Sequence, residues 1–309
     1  MTRILGVGLA LVLMTSGAAA QGQVVTPALV EAHEAFAEGD YLRMTRKLRE
    51  TLEQNPEDEH VRRNALDLLE RAYALNGGRV PADWKLPAGV QSMRLSVARK
   101  ADGEEFRIRL SGELARAGIV EELRLVQFPS RVILDKRAGV GIWEERQPAG
   151  EEPEYELVLD DQRDPIEEGL YTLHIATTDG HAVDGHVIVS NVVATATPVI
   201  RSPVPGETLR SDEVRYQWDD FVSPQRKAYE WRGLWVGVAR CAPPAYAWDE
   251  VWGQYFEHPN AASPDELRAK PLPAGRYFMY LSFKETRAFG DVKVRRESNN
   301  AVPFHVVDP

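Results

Sequence analysis

The chain has 309 residues, 43% of them hydrophobic and 27% charged, with a formal net charge of −10. That surplus of acid argues against a nucleic acid or an anionic membrane surface as partner, since both demand a broad basic face. The length is ample for two or three separate cores, and with Cys241 as the single cysteine these cores must be held by burial rather than by an internal disulfide framework.

The first residues carry one positive charge at Arg3, an apolar run from Ile4 to Met14, and the small residues Ala18-Ala19-Ala20. This pattern predicts a secretory signal peptide over 1–20 with cleavage after Ala20, the apolar run being too short to span a bilayer. No later apolar run approaches bilayer length, so no membrane span is expected. The expected location is periplasmic or secreted.

From 24 to 77 apolar residues recur at three- and four-residue spacing: Leu29, Ala32 and Phe36, then Leu42, Leu48 and Leu52, then Val61, Ala65, Leu68, Leu69, Ala72 and Leu75. Breaks at Glu38-Gly39-Asp40 and Asn55-Pro56-Glu57-Asp58 divide the segment into three helices, with Asp40 placed to cap the second. The string Ala32-x-x-x-Phe36-Ala37-x-Gly39-Asp40-Tyr41, followed by Leu48, Leu52, Asn55-Pro56 and Leu68-Leu69-x-x-Ala72-Tyr73, resembles the tetratricopeptide repeat family over about one and a half repeats. Thr45 departs from that family's small residue. The resemblance implies a concave helical face around Tyr41 and Tyr73 for a protein partner, on a segment short enough to pack against its neighbour.

Residues 78–91 read as a linker rich in Gly and Pro, with Trp84 and Leu86 as apolar pins. From 92 to 197 the apolar period becomes two, through Met93, Leu95, Val97, then Phe106, Ile108, Leu110, and on to Tyr171, Leu173, Ile175. Seven or eight strands with no helix between them resemble an immunoglobulin-like or fibronectin type III-like β-sandwich. Residues 198–309 form a second unit of the same kind, opening with Ser202-Pro203-x-Pro205-Gly206 and Val214-x-Tyr216-x-Trp218. The expected class is therefore multidomain: an N-terminal helical segment followed by two tandem antiparallel β-sandwiches. Each unit closes on a matching hairpin, opening at Gly169-Leu170-Tyr171 and Gly275-Arg276-Tyr277 and returning at Val187-Ile188-Val189 and Val292-Lys293-Val294. The second hairpin is expected to turn through Glu285-Thr286-Arg287-Ala288-Phe289-Gly290.

Two constellations carry candidate chemistry. The first closing turn holds Asp179-Gly180-His181 and Asp184-Gly185-His186, residue types that ligate Cu²⁺ or Zn²⁺; Asp-Gly is equally the composition of a tight β-turn. This hairpin resembles the last hairpin of the periplasmic copper-resistance carrier family, which implies Asp179 and His181 as ligands. The terminal His of that family's site has no counterpart here. The second constellation is aromatic: Trp218, Trp231, Trp235, Trp248 and Trp252 with Tyr216, Tyr229, Tyr246 and Tyr255. Trp248, Trp252 and Tyr255 are the expected surface members, and Phe278 with Tyr280 share a strand face that would extend them. Exposed rings of this kind anchor protein partners or stack on sugars.

Gly-x-Ser-x-Gly, His-Glu-x-x-His and phosphate-cradling glycine loops are absent, and no enzymatic activity is expected. The leading expectation is an exported protein that interacts with or scaffolds other proteins of the envelope. Carbohydrate binding through the second unit's aromatics and Cu/Zn binding at the Asp-Gly-His turn are the alternatives, and no other cofactor is expected.

Overall fold

The computed structural model describes residues 26–100, 105–191, 199–219, 228–242, 247–256 and 272–308, with the side chains of 241, 242 and 247–250 outside the description. The expected signal peptide and its cleavage site lie outside the described residues. Three helices precede a large β-rich region, so the protein is mainly β with a small helical part.

The helices are α1 (Pro27–Glu38), α2 (Tyr41–Gln54) and α3 (Glu59–Leu75). Each begins on an oxygen-bearing cap that accepts from the first turn's free amides: Thr26, Asp40 and Asp58. Gly39, at φ +76°, ends α1 in the left-handed conformation that glycine adopts without strain. The apolar stripes of all three helices join one buried cluster with the first β-unit. Helices this short gain most of their stability from such packing rather than from intrinsic propensity.

The first unit comprises β2 (Met93–Arg99), β3 (Phe106–Glu113), β4 (Val120–Gln127), β5 (Arg131–Asp135), β6 (Ile142–Arg146), β7 (Glu154–Gln162), β8 (Gly169–Thr177) and β9 (Ala182–Val189). One layer is the four-stranded sheet β5-β4-β8-β9, and the facing layer runs β2-β3-β7-β6. The second unit contains β10 (Ile200–Ser202), β11 (Glu207–Arg210), β12 (Gln217–Trp218), β13 (Trp231–Ala242), β14 (Ala247–Phe256), β15 (Gly275–Phe289) and β16 (Val292–Val307). Its core packs Ile200, Val214, Tyr216 and Trp218 against Leu234, Val236, Met279, Leu281, Phe283 and Phe304.

The units are not separate sheets. The segment expected to be a turn, Glu285 to Phe289, continues as strand, and the chain reverses only at Gly290-Asp291. The hairpin of β15 and β16 therefore reaches past its own core, and residues 292–298 pair in parallel with β2 at 93–99. Phe289, Val292 and Val294 enter the first core while Phe283 and Phe304 stay in the second. One sheet thus runs β14-β13-β15-β16-β2-β3-β7-β6 through both units.

The 78–91 segment is pinned as Trp84 and Leu86 suggest. Its strand β1 (Arg79–Val80) pairs with the end of β15. The Trp84 indole donates to the His186 carbonyl at 2.9 Å and lies over Gly185, where a Cβ would sit 2.5 Å from the ring. The repeated Gly-x-Tyr opening has one physical cause in both hairpins. Buried Tyr171 donates to the Glu167 carbonyl at 2.5 Å and buried Tyr277 to the Pro273 carbonyl at 2.7 Å. Each ties its strand to the loop four residues upstream, a tyrosine corner of sandwich folds.

Where the hairpin crosses between cores its inward side chains are charged. Glu285, 1% exposed, accepts from Arg232 at 2.8 Å and from Arg296. Arg296 also donates to the Asn191 side-chain oxygen at 2.8 Å. Arg287 forks onto Glu70 of α3 and lies over the rings of Tyr73 and Tyr229, 4.9 and 4.6 Å from their centroids. Helix, first unit and second unit meet at this ionic waist.

Candidate interaction surface

Strand alternation sorts β13 cleanly. Leu234, Val236 and Val238 are buried in the second core, so Trp231, Gly233, Trp235 and Gly237 face outward. Across the β14 pair Tyr255 lies opposite Trp235, and across the β15 pair Tyr280 lies opposite Gly237. Directly opposed residues share a face, and the four aromatics form one row. The Tyr255 ring stacks on Trp231 at 5.5 Å and 6° between planes, and its other neighbour is Trp235 at 6.4 Å. Trp235 donates its indole N–H to the Tyr280 hydroxyl at 2.9 Å. Beyond Trp231 the row ends on Arg295, whose guanidinium is 5.6 Å from the ring centroid.

Glycine makes this possible. A Cβ on Gly233 would lie 2.0 Å from the Tyr255 hydroxyl and one on Gly237 2.4 Å from the Tyr280 ring. The rings lean into space that any other residue would fill. Tyr255 is 36% exposed, and Trp231, Trp235 and Tyr280 are half-buried. The row therefore presents ring edges, its hydroxyls leaning over the two glycines, while one face of Tyr255 lies on Trp231 and Arg295 also lies over the Trp231 ring.

Of the residues expected at a partner or ligand site, Tyr255 falls on this row, as does Tyr280, expected to extend the patch. Trp252 is a correction: it lies opposite Val238, shares that residue's inward face, and stacks on Tyr216 at 6.2 Å and 9° in the second core. Trp248 is on β14 opposite Cys241, with its side chain outside the description. Tyr73 is a second correction. It is 1% exposed beneath Arg287, and burial pushes its phenol well up from its ordinary value. Tyr41 is half-buried, edge-on to Phe36 at 6.1 Å and packed against the first core. The helices thus turn the expected concave face onto the first unit.

The four expected metal ligands do not converge. Asp179 accepts from the Thr177 hydroxyl at 2.5 Å within the turn, and that bond holds its carboxyl below the ordinary value. His181 is exposed on the turn itself. Asp184 meets His174 at 2.7 Å on the outer sheet face, while His186 turns to α2, 3.7 Å from Glu53. Burial and Arg49 lower the His186 pKa. Among the described residues no group of three or more His, Cys, Asp or Glu side chains is placed to hold a metal ion. His174, also 3.5 Å from Glu122, was missed because a His in the middle of an alternating strand reads as an ordinary outward residue.

A groove of about 720 Å³ lies between α3 and the first unit, and several of its charged groups pair with neighbours: Arg63 with Glu59, Glu70 with Arg287, Glu167 with Arg131. No described helix is long and apolar enough to cross a membrane.

No curated protein matches the chain in sequence. Among solved structures it is similar to the tandem Ig repeats of Dlar, at 10% identity over 71% of this chain and 97% of that one, with a TM-score of 0.28. It is also similar to the IG1 and IG2 domains of DIP-gamma, at 13% over 72% and 98% with a TM-score of 0.21. The fibronectin(III)-like modules of Clostridium thermocellum CbhA match at 10% over 72% and 94%, with a TM-score of 0.21. These superpositions are too loose to bear on function. The sequence over residues 25–202 matches the model of a family described as a protein of unknown function, DUF2861, and the chain belongs to that family.

Proposed function

We propose that this protein is a binding protein rather than an enzyme, and that the row Trp231, Tyr255, Trp235 and Tyr280 is where it docks a protein partner. The observation that supports this reading is the mutual stacking of the row. Sugar recognition by aromatic side chains needs an open ring face, and Trp231 and Tyr255 each spend one of theirs on the other. What remains is a semi-rigid strip of apolar edges with hydroxyl and indole tips, the composition that anchors protein contacts. The export expected from residues 1–20 would put that partner in the periplasm or envelope.

The test is a photo-crosslinking residue placed at Tyr255 in the full chain, expressed in its native cells. The expected result is a discrete adduct that protease digests and that W235A weakens. Adducts that resist protease and are removed by glycosidase would transfer the site to carbohydrate, and absence of adducts at both Tyr255 and Tyr280 would end the proposal.

A further inference from the structure

The sheet that carries the aromatic row continues without interruption into the first unit, and so does its outer face. One cross-strand line runs Trp231, Thr286, Arg295, Ser96, Arg109. Beside it lies a basin of about 560 Å³ whose lining includes Ser96, Lys100, Arg107, Arg109, Lys284 and Glu297. The basin gathers Lys100, Arg107, Arg109 and Lys284 around Glu297, the first three also pairing with carboxylates at its rim, in a chain whose net charge is −10.

The charges there are incompletely answered. Glu297 is shared at 3.8 Å by Arg295 and 3.9 Å by Arg109, and one of its buried oxygens accepts no hydrogen bond among the described residues. Ser96 lines the basin at 2% exposure with its hydroxyl unpartnered among the described residues. The buried Nε atom of Arg109 is likewise unpartnered among the described residues, as is that of Arg94 outside the basin. Arg107 pairs with Asp160, Arg109 with Glu156 at 3.5 Å, and Lys100 with Glu105 and Asp161 at the outer rim. Lys284, nearest the aromatic row, makes no ion pair among the described residues. Burial, with neighbouring guanidiniums second, lowers the pKa values of Arg94 and Arg295 just outside the basin, whereas hydrogen bonds to Asp161 and Asp160 raise those of Lys100 and Arg107 within it.

We infer that this basin receives a carboxylate-rich polypeptide segment of the docked partner, which rests on the reading of the aromatic row as a docking surface. Four cations spread from β3 and the end of β2 across to β15 suit an extended acidic segment better than a single small anion. Trp231 and Tyr255, each with one face turned to the other, leave less open ring surface for stacking on an acidic glycan than edge for contact with a polypeptide. Aromatic anchoring at one end and charge pairing at the other would fix the direction in which the partner lies across the sheet.

The test uses the full chain and three labelled probes: a decapeptide of alternating Glu and Asp, its Gln and Asn counterpart, and a polygalacturonate oligomer, read by fluorescence anisotropy. The acidic peptide should bind and lose its binding at about 0.5 M salt, and the neutral peptide should not bind. K284Q should weaken it about 3-fold and R107Q/K284Q about 10-fold, with near-ultraviolet circular dichroism unchanged. Equal binding of the neutral peptide, indifference to R107Q/K284Q, or binding of polygalacturonate alone would each overturn the inference. Persistence of the protease-sensitive Tyr255 adduct alongside any of those results would leave the docking row standing and remove only its acidic partner.

Discussion

Glu285→Gln is the sharpest probe of how the two units are joined. Glu285 is 1% exposed and is the carboxylate between Arg232 and Arg296, which are 9% and 7% exposed. The substitution keeps the shape but turns one of the two accepting oxygens into an NH2 donor, and leaves two buried guanidiniums facing a neutral amide. Breaking a buried pair in this way costs about 3–5 kcal/mol, because the orphaned charge stays desolvated. An exposed pair of the same chemistry, Arg201 with Asp219 at 62% and 45% exposure, should show a far smaller loss on Asp219→Asn. Urea unfolding followed by far-ultraviolet circular dichroism and by tryptophan fluorescence measures both. Replacing all three residues by apolar ones, R232L/E285M/R296L, should cost less than the single change, since no buried charge is then left alone. A loss below about 1 kcal/mol for E285Q, or a triple variant worse than the single one, would show that the waist is not dry enough for this reasoning.

Gly185→Ala would put a methyl 2.5 Å from the Trp84 indole and should cost about 1–3 kcal/mol, with a red shift in tryptophan emission as the linker lifts. Trp252→Ala should lower stability by about 1–3 kcal/mol through loss of its stack on Tyr216, yet leave the Tyr255 crosslink in place. The folded-state pKa of His186 lies below its ordinary 6.5, so the unfolded chain takes up its proton first. Stability from that residue is full above pH 6.5 and is lost as pH falls through the lowered value, and H186Q should flatten the unfolding midpoint between pH 7 and 5.

Much of the fold was legible because local signals agreed with one another. Thr26, Asp40 and Asp58 sit where caps are needed, Gly39 where a helix must end, and Gly-x-Tyr where a corner must be tied. The long hairpin was not legible, because Glu285-Thr286-Arg287 has the composition of a turn and its charges find partners far along the chain, at Glu70, Arg232 and Arg296. The surface aromatics were half legible. The alternation of Trp231, Gly233, Trp235 and Gly237 with Leu234, Val236 and Val238 marks the outward face, but the inward direction of Trp252 depends on its register against Val238. His186 and Asp184 looked like one ligand set because they are two residues apart. The neighbours that separate them, Glu53 and His174, belong to other elements.

The shared hairpin also imposes an order on assembly. Strand β2, at 93–99, borders residues 292–298, which are made about 200 residues later. At roughly 5–20 residues per second that is an interval of tens of seconds. Throughout it the first unit has an open sheet edge and an incomplete core lacking Phe289, Val292 and Val294. Contacts this remote in sequence slow folding, and completion of the first unit's edge and core waits on the chain's last strand pair.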